Sequence, residues 1–189
     1  MDENVEYNEL ASERSLRIKE EIYDWLGCVV SALLFCVLMF VFFVRIIGVE
    51  GYSMQPTLHD DDKVVVSNLF YTPTPGDIVV FRKASFRYEP LVKRIIATEG
   101  QTVDINAETG EVIIDGKVLE EEYIADLTGA RTAFYGPQTV PPGQLFVMGD
   151  NRNNSTDSRS NSVGFVDARY IMGKVYCILL PPSNFRALY

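Results

Sequence analysis

The sequence predicts a mainly β protein, with one N-terminal transmembrane helix followed by an antiparallel β-barrel or coiled-sheet domain. Three observations lead there. Trp25 to Val44 is an uncharged, almost wholly apolar run, matching the ~20 residues a helix needs to cross a bilayer core. Beyond Gly48 the apolar residues fall instead into short β-branched or aromatic stretches punctuated by Gly, Pro, Asp and Asn, the pattern of strands and tight turns. Between two of those stretches stands Asp115-Gly116, a two-residue hairpin signal.

Residues 1–24 hold eight acids and three bases, with few large apolar residues before Leu16. That composition reads as an acidic, solvated or disordered cytoplasmic tail, although Leu16, Ile18 and Ile22 allow residues 15–24 to extend the helix that follows. The transmembrane anchor is expected over 25–47. A cleaved secretory signal has an apolar region of about 7–15 residues after a basic start. Here the flank is acidic, and Arg45-Ile46-Ile47-Gly48 offers no small-x-small cleavage site, so the anchor reads as uncleaved. Arg14, Arg17 and Lys19 precede the span, against Arg45 and Lys63 after it. This bias favours a single-pass cell-membrane protein with a cytoplasmic N-terminus and an extracytoplasmic domain over 48–189.

Within that domain Lys63–Ser67, Asp77–Phe81, Leu91–Ile96 and Gln144–Met148 read as strands, and Val175–Leu179 as a buried one. Val103–Ile105 and Gly110–Val112 suggest a hairpin leading into the one at Asp115-Gly116, while Pro73, Pro75, Pro137, Pro141 and Pro142 mark loops. No repeat or low-complexity linker divides the segment, which is long enough to bury a core of its own.

Composition narrows the chemistry. The net charge of −9 with no basic stripe argues against a nucleic-acid partner. Cys28 and Cys36 lie in the apolar run, leaving Cys177 without an internal partner in the soluble part; all three read as small hydrophobes. No zinc spacing is present, and Asp60, Asp61 and Asp62 follow no calcium-binding pattern. Neither a metal nor a cofactor is expected.

Three segments can carry chemistry. Ser53 sits in a turn framed by Gly51 and Pro56, where backbone N–H groups could serve as oxyanion donors. A turn serine bonding its own backbone fits that segment equally well. In Val92-Lys93-Arg94-Ile95-Ile96, neighbouring side chains point to opposite faces of a strand. A lysine held against apolar surroundings there can lose its charge and act as a general base; an edge-strand lysine guarding against aggregation is the alternative. Gly149 to Arg159 is a continuous polar stretch, and alone it reads as a solvated loop in which Asp157 and Arg159 can pair. His59 is the only histidine, so a nucleophilic Ser53 would need a different base.

Taken together, Gly-x-Ser-Met-x-Pro-Thr-Leu at 51–58, Gly-Asp-Ile-Val-Val-Phe at 76–81, Val-Lys-Arg-Ile-Ile at 92–96 and Met-Gly-Asp-Asn-Arg-x-Asn-Ser-x-Asp-Ser-Arg at 148–159 resemble the boxes of bacterial type I signal peptidases, in the family's order and behind an anchor. The resemblance spans roughly residues 25–175 and fits the short, single-span branch. It implies a membrane-bound serine endopeptidase that cleaves signal peptides from exported preproteins, with the preprotein and the lipid bilayer as partners and small residues before the cut. It further implies Ser53 as nucleophile, Lys93 as general base and Ser155 as the hydroxyl that orients the lysine. Asp157 with Arg159, and Asp150 with Arg94, become supporting ion pairs, and the Ser53 N–H becomes an oxyanion donor. Two positions depart from the pattern: Gly51 stands where some relatives carry a serine, and Ala97-Thr98-Glu99-Gly100-Gln101 replaces the usual Gly-x-Pro-Gly-Asp turn. Self-cleaving repressors use a similar dyad but add a DNA-binding region, against which the anchor and acidic tail speak. A non-catalytic anchored β domain is the other rival, disfavoured because both dyad positions are filled.

Overall fold

In the computed structural model, which describes residues 3–83, 87–129, 134 and 136–188, the apolar run lies within a single helix, α1, Glu3–Phe43. Its stretch Leu16–Met39 is long and apolar enough to cross a membrane. The N-terminal segment, expected to be a solvated tail, is helical from Glu3; it contains no Pro or Gly before Gly27 to interrupt the turn-to-turn bonds. The helix also stops short of residue 47. Val44–Gly48 forms strand β1, paired antiparallel with β2 (Lys63–Ser67) from Val44↔Ser67 to Gly48↔Lys63. Pairing of a β-branched segment along a sheet edge outweighs continuation of the helix.

The chain separates into two units, Met1–Phe42 and Phe43–Tyr189. The second is built on antiparallel strands: β3 (Ile78–Lys83), β4 (Arg87–Thr98), β5 (Thr102–Ile105), β6 (Val112–Ile114), β7 (Lys117–Val118), β8 (Gln138–Thr139), β9 (Gln144–Met148), β10 (Val166–Asp167), β11 (Ile171–Leu180) and β12 (Arg186–Ala187). One sheet runs β1-β2-β11-β3-β4-β9-β10, with β12 added to β11, and a smaller one runs β7-β6-β5-β8. Among the described residues neither order returns on itself, so the fold is an open pair of sheets and not a closed barrel. The expected hairpins are present: β5 pairs with β6, and β6 with β7 across Asp115 and Gly116. Both turn residues have positive φ, 49° and 79°, as a type I′ turn requires.

Alternation builds the core. Ile78 and Val80 of β3 pack with Met54, Leu58, Val64, Val66, Val175 and Ile178, whereas Val79 and Phe81 pack with Ile95, Leu145 and Val147 on the other face. A third cluster joins Ile96, Val103, Phe146 and Met148 beneath the small sheet. Burial of each such side chain contributes roughly 1.5–3 kcal/mol. This leaves the middle of β4 clamped from both sides, a rigid support for the residues it carries. Cys177, expected to be buried, is only half-covered.

Candidate active site

Ser53 is held by a loop that leaves β1 and returns to β2 as a closed unit. Val49 N–H donates to the Asp62 carbonyl (2.8 Å) and Asp61 N–H to that of Val49 (3.0 Å). The Gly51 N–H donates to the Asp60 carboxylate (2.6 Å), and Gly51 itself sits at φ +87°, a left-handed conformation that any side chain would strain. Met54 and Leu58 are driven into the core as anchors on the far side of the turn. The fully buried Asp62 accepts from the His59 N–H (2.8 Å) and from the Asn184 side chain (3.1 Å). The acids at 60 and 62 thus hold the loop together, and no cluster suited to a metal occurs among the described residues. His59 is exposed.

Lys93 comes to this serine from the middle of β4, where it pairs with Val79. Its ammonium nitrogen Nζ lies 2.7 Å from Ser53 Oγ and 2.8 Å from the Val92 carbonyl. Lys93 is 3% exposed. Burial lowers its pKa from 10.5 to about 8, with Arg159 adding to the depression and Asp157 and Asp150 opposing it. A neutral amine beside a serine hydroxyl can remove its proton as the oxygen attacks an electrophile.

The polar stretch expected to be a solvated loop is largely interior: Asp150 is 0% exposed, Asp157 1% and Arg159 8%. Its groups are satisfied in pairs, as burial demands. Arg159 donates twice to Asp157 at 2.8 Å. Burial alone would raise the Asp157 pKa, but the bonds and charge of Arg159, the Gly149 N–H and the Ser155 hydroxyl together pull it below the ordinary carboxylate value. Arg94 donates to both oxygens of Asp150 (2.8 and 2.6 Å), which also accepts from the Thr57 hydroxyl (2.5 Å). Asp150 therefore ties the strand that carries Lys93 to the loop that carries Ser53. Gly149 lets the two loops meet, since a Cβ there would stand 2.4 Å from the Ser53 carbonyl oxygen and 2.3 Å from Ser155 Oγ.

One expected contact differs. The Ser155 hydroxyl donates to Asp157 (2.7 Å) and makes no hydrogen bond with Lys93. The hydroxyl proton goes to the carboxylate, the stronger acceptor, since an ammonium has only donors to offer. Sequence reasoning also missed a second buried cluster. Arg152 donates to both oxygens of Glu121, Tyr123 donates to Glu121 (2.7 Å), and the Arg94 guanidinium lies 3.9 Å from the centre of the Tyr123 ring. In the sequence Glu121 is one of three consecutive acids after a hairpin, a pattern that reads as a wet surface.

Ser53 and Lys93 open onto a cleft of about 450 Å³, bordered by Ile47, Gly48 and Tyr52 on one side and by Pro90 and Leu91 on the other. The strand β9 pairs with β4 only from Arg94 to Thr98, so the β4 residues before Lys93 border the cleft and not β9.

A family model described as signal peptidase, peptidase S26, matches residues 22–180. A signal peptidase I of Bacillus licheniformis is 33% identical over 187 residues, covering 94% of this chain and 98% of its own. The signal peptidase I T of Bacillus subtilis is 34% identical over 186 residues, covering 93% and 94%. Among solved structures, a signal peptidase I from Enterococcus faecalis is 31% identical with a TM-score of 0.47, covering 55% of this chain and 97% of that one.

Proposed function

The chain belongs to the signal peptidase family, peptidase S26, and from that premise we propose that it is a membrane-bound serine endopeptidase that removes signal peptides from exported preproteins with a Ser53/Lys93 dyad. The observation that carries the dyad is the 2.7 Å approach of a buried lysine amine to Ser53 Oγ. In the working state the amine is neutral and accepts the Ser53 proton while Oγ attacks the scissile carbonyl. The resulting ammonium then protonates the leaving amine, and a water activated in the same way releases the acyl group. The Ser53 N–H donates to the oxyanion. Substrate lies extended in the cleft between Gly48 and Leu91, added as a strand. Helix α1 anchors the enzyme in the cell membrane, with residues 1–24 cytoplasmic and 48–189 outside. In its favour stand the length and apolar character of Leu16–Met39 and the three cations Arg14, Arg17 and Lys19 ahead of the uncharged run that begins at Trp25. Asp150, Arg94, Asp157 and Arg159 support the dyad by fixing the two loops around it.

The direct test is incubation of the detergent-solubilised full chain with a secreted precursor, followed by N-terminal sequencing. A single new N-terminus just past the precursor's apolar segment is expected; a bound but intact precursor would make the protein a binder and not a peptidase.

Two smaller effects follow. His59→Ala should keep activity within about twofold of wild type, because His59 is exposed and its backbone makes the bond that matters to the loop; a hundredfold loss in the same assay would reinstate histidine as the base. Ser155→Ala should reduce kcat/KM about tenfold, the equivalent of one hydrogen bond to a charged group, by loosening Asp157 behind Lys93. Wild-type processing by that variant would remove Ser155 from the site.

A further inference from the structure

The serine turn has a feature that the dyad does not use. Ser53 N–H has no acceptor among the described residues, although the loop around it is densely bonded. It shares a peptide unit with the Tyr52 carbonyl, and that carbonyl accepts from the side-chain amide of Asn151 at 3.1 Å, besides the Gln55 N–H at 3.2 Å. The backbone N–H of Asn151 donates in turn to the Ser53 carbonyl at 3.1 Å. One residue therefore grips the carbonyls on both sides of Ser53. In a planar trans peptide the C=O and N–H point in opposite directions, so fixing where the Tyr52 oxygen points fixes where the Ser53 hydrogen points. Gly51 has no side chain to offer as a second donor, which leaves the direction of this N–H without a substitute nearby in the turn.

We propose that Asn151 is a positioning residue for transition-state stabilisation: its side chain locks the 52–53 peptide plane so that the Ser53 N–H is aimed at the oxyanion before substrate arrives. The proposal rests on the assignment of Ser53 as nucleophile. Preorganisation of this kind acts on the developing charge and not on ground-state binding. Loss of a whole oxyanion donor costs about 10²–10³ in kcat. Misaiming one that remains present should cost less, about 10- to 100-fold.

The test uses the solubilised full chain with Asn151→Ala and Asn151→Asp, a soluble peptide substrate, and a peptidyl boronate whose tetrahedral adduct on serine mimics the oxyanion. Both variants should lose about 10- to 100-fold in kcat with KM changed less than about twofold. Boronate affinity should fall by the same factor, and the alkaline-rising limb of kcat/KM should stay where it is. The aspartate variant is the same size but presents an acceptor to an acceptor, so it should be no better than alanine. It also carries the test if Asn151→Ala loses its cooperative melting. A loss confined to KM, a shifted limb, or wild-type kcat in Asn151→Asp would overturn the proposal. A Ser53→Ala control separates the two readings. If that control still cleaves, the nucleophile assignment fails; if it is inert while Asn151→Asp works normally, only the role of Asn151 fails.

Discussion

Lys93→Met will cleave no detectable precursor and will at the same time be more stable than wild type at neutral pH. Removing the nucleophile or base of a serine hydrolase costs about 10⁴–10⁶ in kcat, so kcat/KM should fall by at least about 10⁴. The stability gain has a separate origin. The amine's pKa is depressed from 10.5 to about 8 by burial. Below about 8 both the folded and unfolded chains carry the ammonium, and the folded chain bears the full cost of burying it, roughly 3 kcal/mol at 1.36 kcal/mol per pKa unit. Between about 8 and 10.5 the unfolded chain binds more protons, so stability rises with pH and the cost disappears. The methionine variant's advantage should therefore be largest at or below pH 8 and shrink toward 10.5. Denaturant melts of both proteins across that range, beside a precursor-cleavage assay, test it. An active variant removes Lys93 from the chemistry, and an inactive one that is less stable at every pH means that burial of the amine costs the fold little. Ser53→Ala should be equally inactive without the stability gain, since Ser53 is only half-buried.

The second large effect is on pH. Only neutral Lys93 can accept the Ser53 proton, so kcat/KM should rise with pH to a plateau with an apparent pKa near 8. Each unit below that limb should cost about tenfold, and activity at pH 6 should be about a hundredth of the plateau. A soluble peptide substrate and the solubilised enzyme suffice for the profile. A limb near 10.5 would mean that the lysine is not desolvated during turnover. A limb near 6.5 that vanishes in His59→Ala would transfer the base to histidine.

The elements that the sequence displayed well are those whose pattern has one physical cause. Alternation along Ile78–Phe81 and Gln144–Met148, and the positive-φ demand of Asp115-Gly116, each follow from local geometry, and those strands and that turn are where they were expected. The end of the anchor helix was hidden because Val44–Ile47 suits a helix in lipid and a strand on a sheet edge equally; only pairing with β2 decides it. The stretch from Gly149 to Arg159 was hidden for a different reason. Composition reports polarity, and polar residues are usually wet, but here guanidinium and carboxylate partners far apart in the chain cancel one another's need for water. Arg94 and Asp150 are separated by 56 residues and Arg152 and Glu121 by 31, distances at which no local pattern operates. The juxtaposition of Ser53 and Lys93 was legible only through the motif resemblance: the apolar neighbours of Lys93 suited a buried base and an edge-strand lysine alike, and nothing local paired it with a serine 40 residues away.

The tail of the chain carries a consequence in time. Arg186 donates to the Thr57 carbonyl, Asn184 to Asp62, and Leu188 packs on the cluster that holds Met54 and Leu58. Arg186 lies 129 residues after the threonine it holds. A ribosome adding roughly 5–20 residues per second delivers that partner several seconds or more after the serine turn has been made. The turn is among the first parts of its unit to be synthesised and among the last to be completed. Until residues 184–188 have emerged, Ser53 sits on a segment whose far side is open. The order of synthesis thus delays completion of the turn until residues 184–188 have been made.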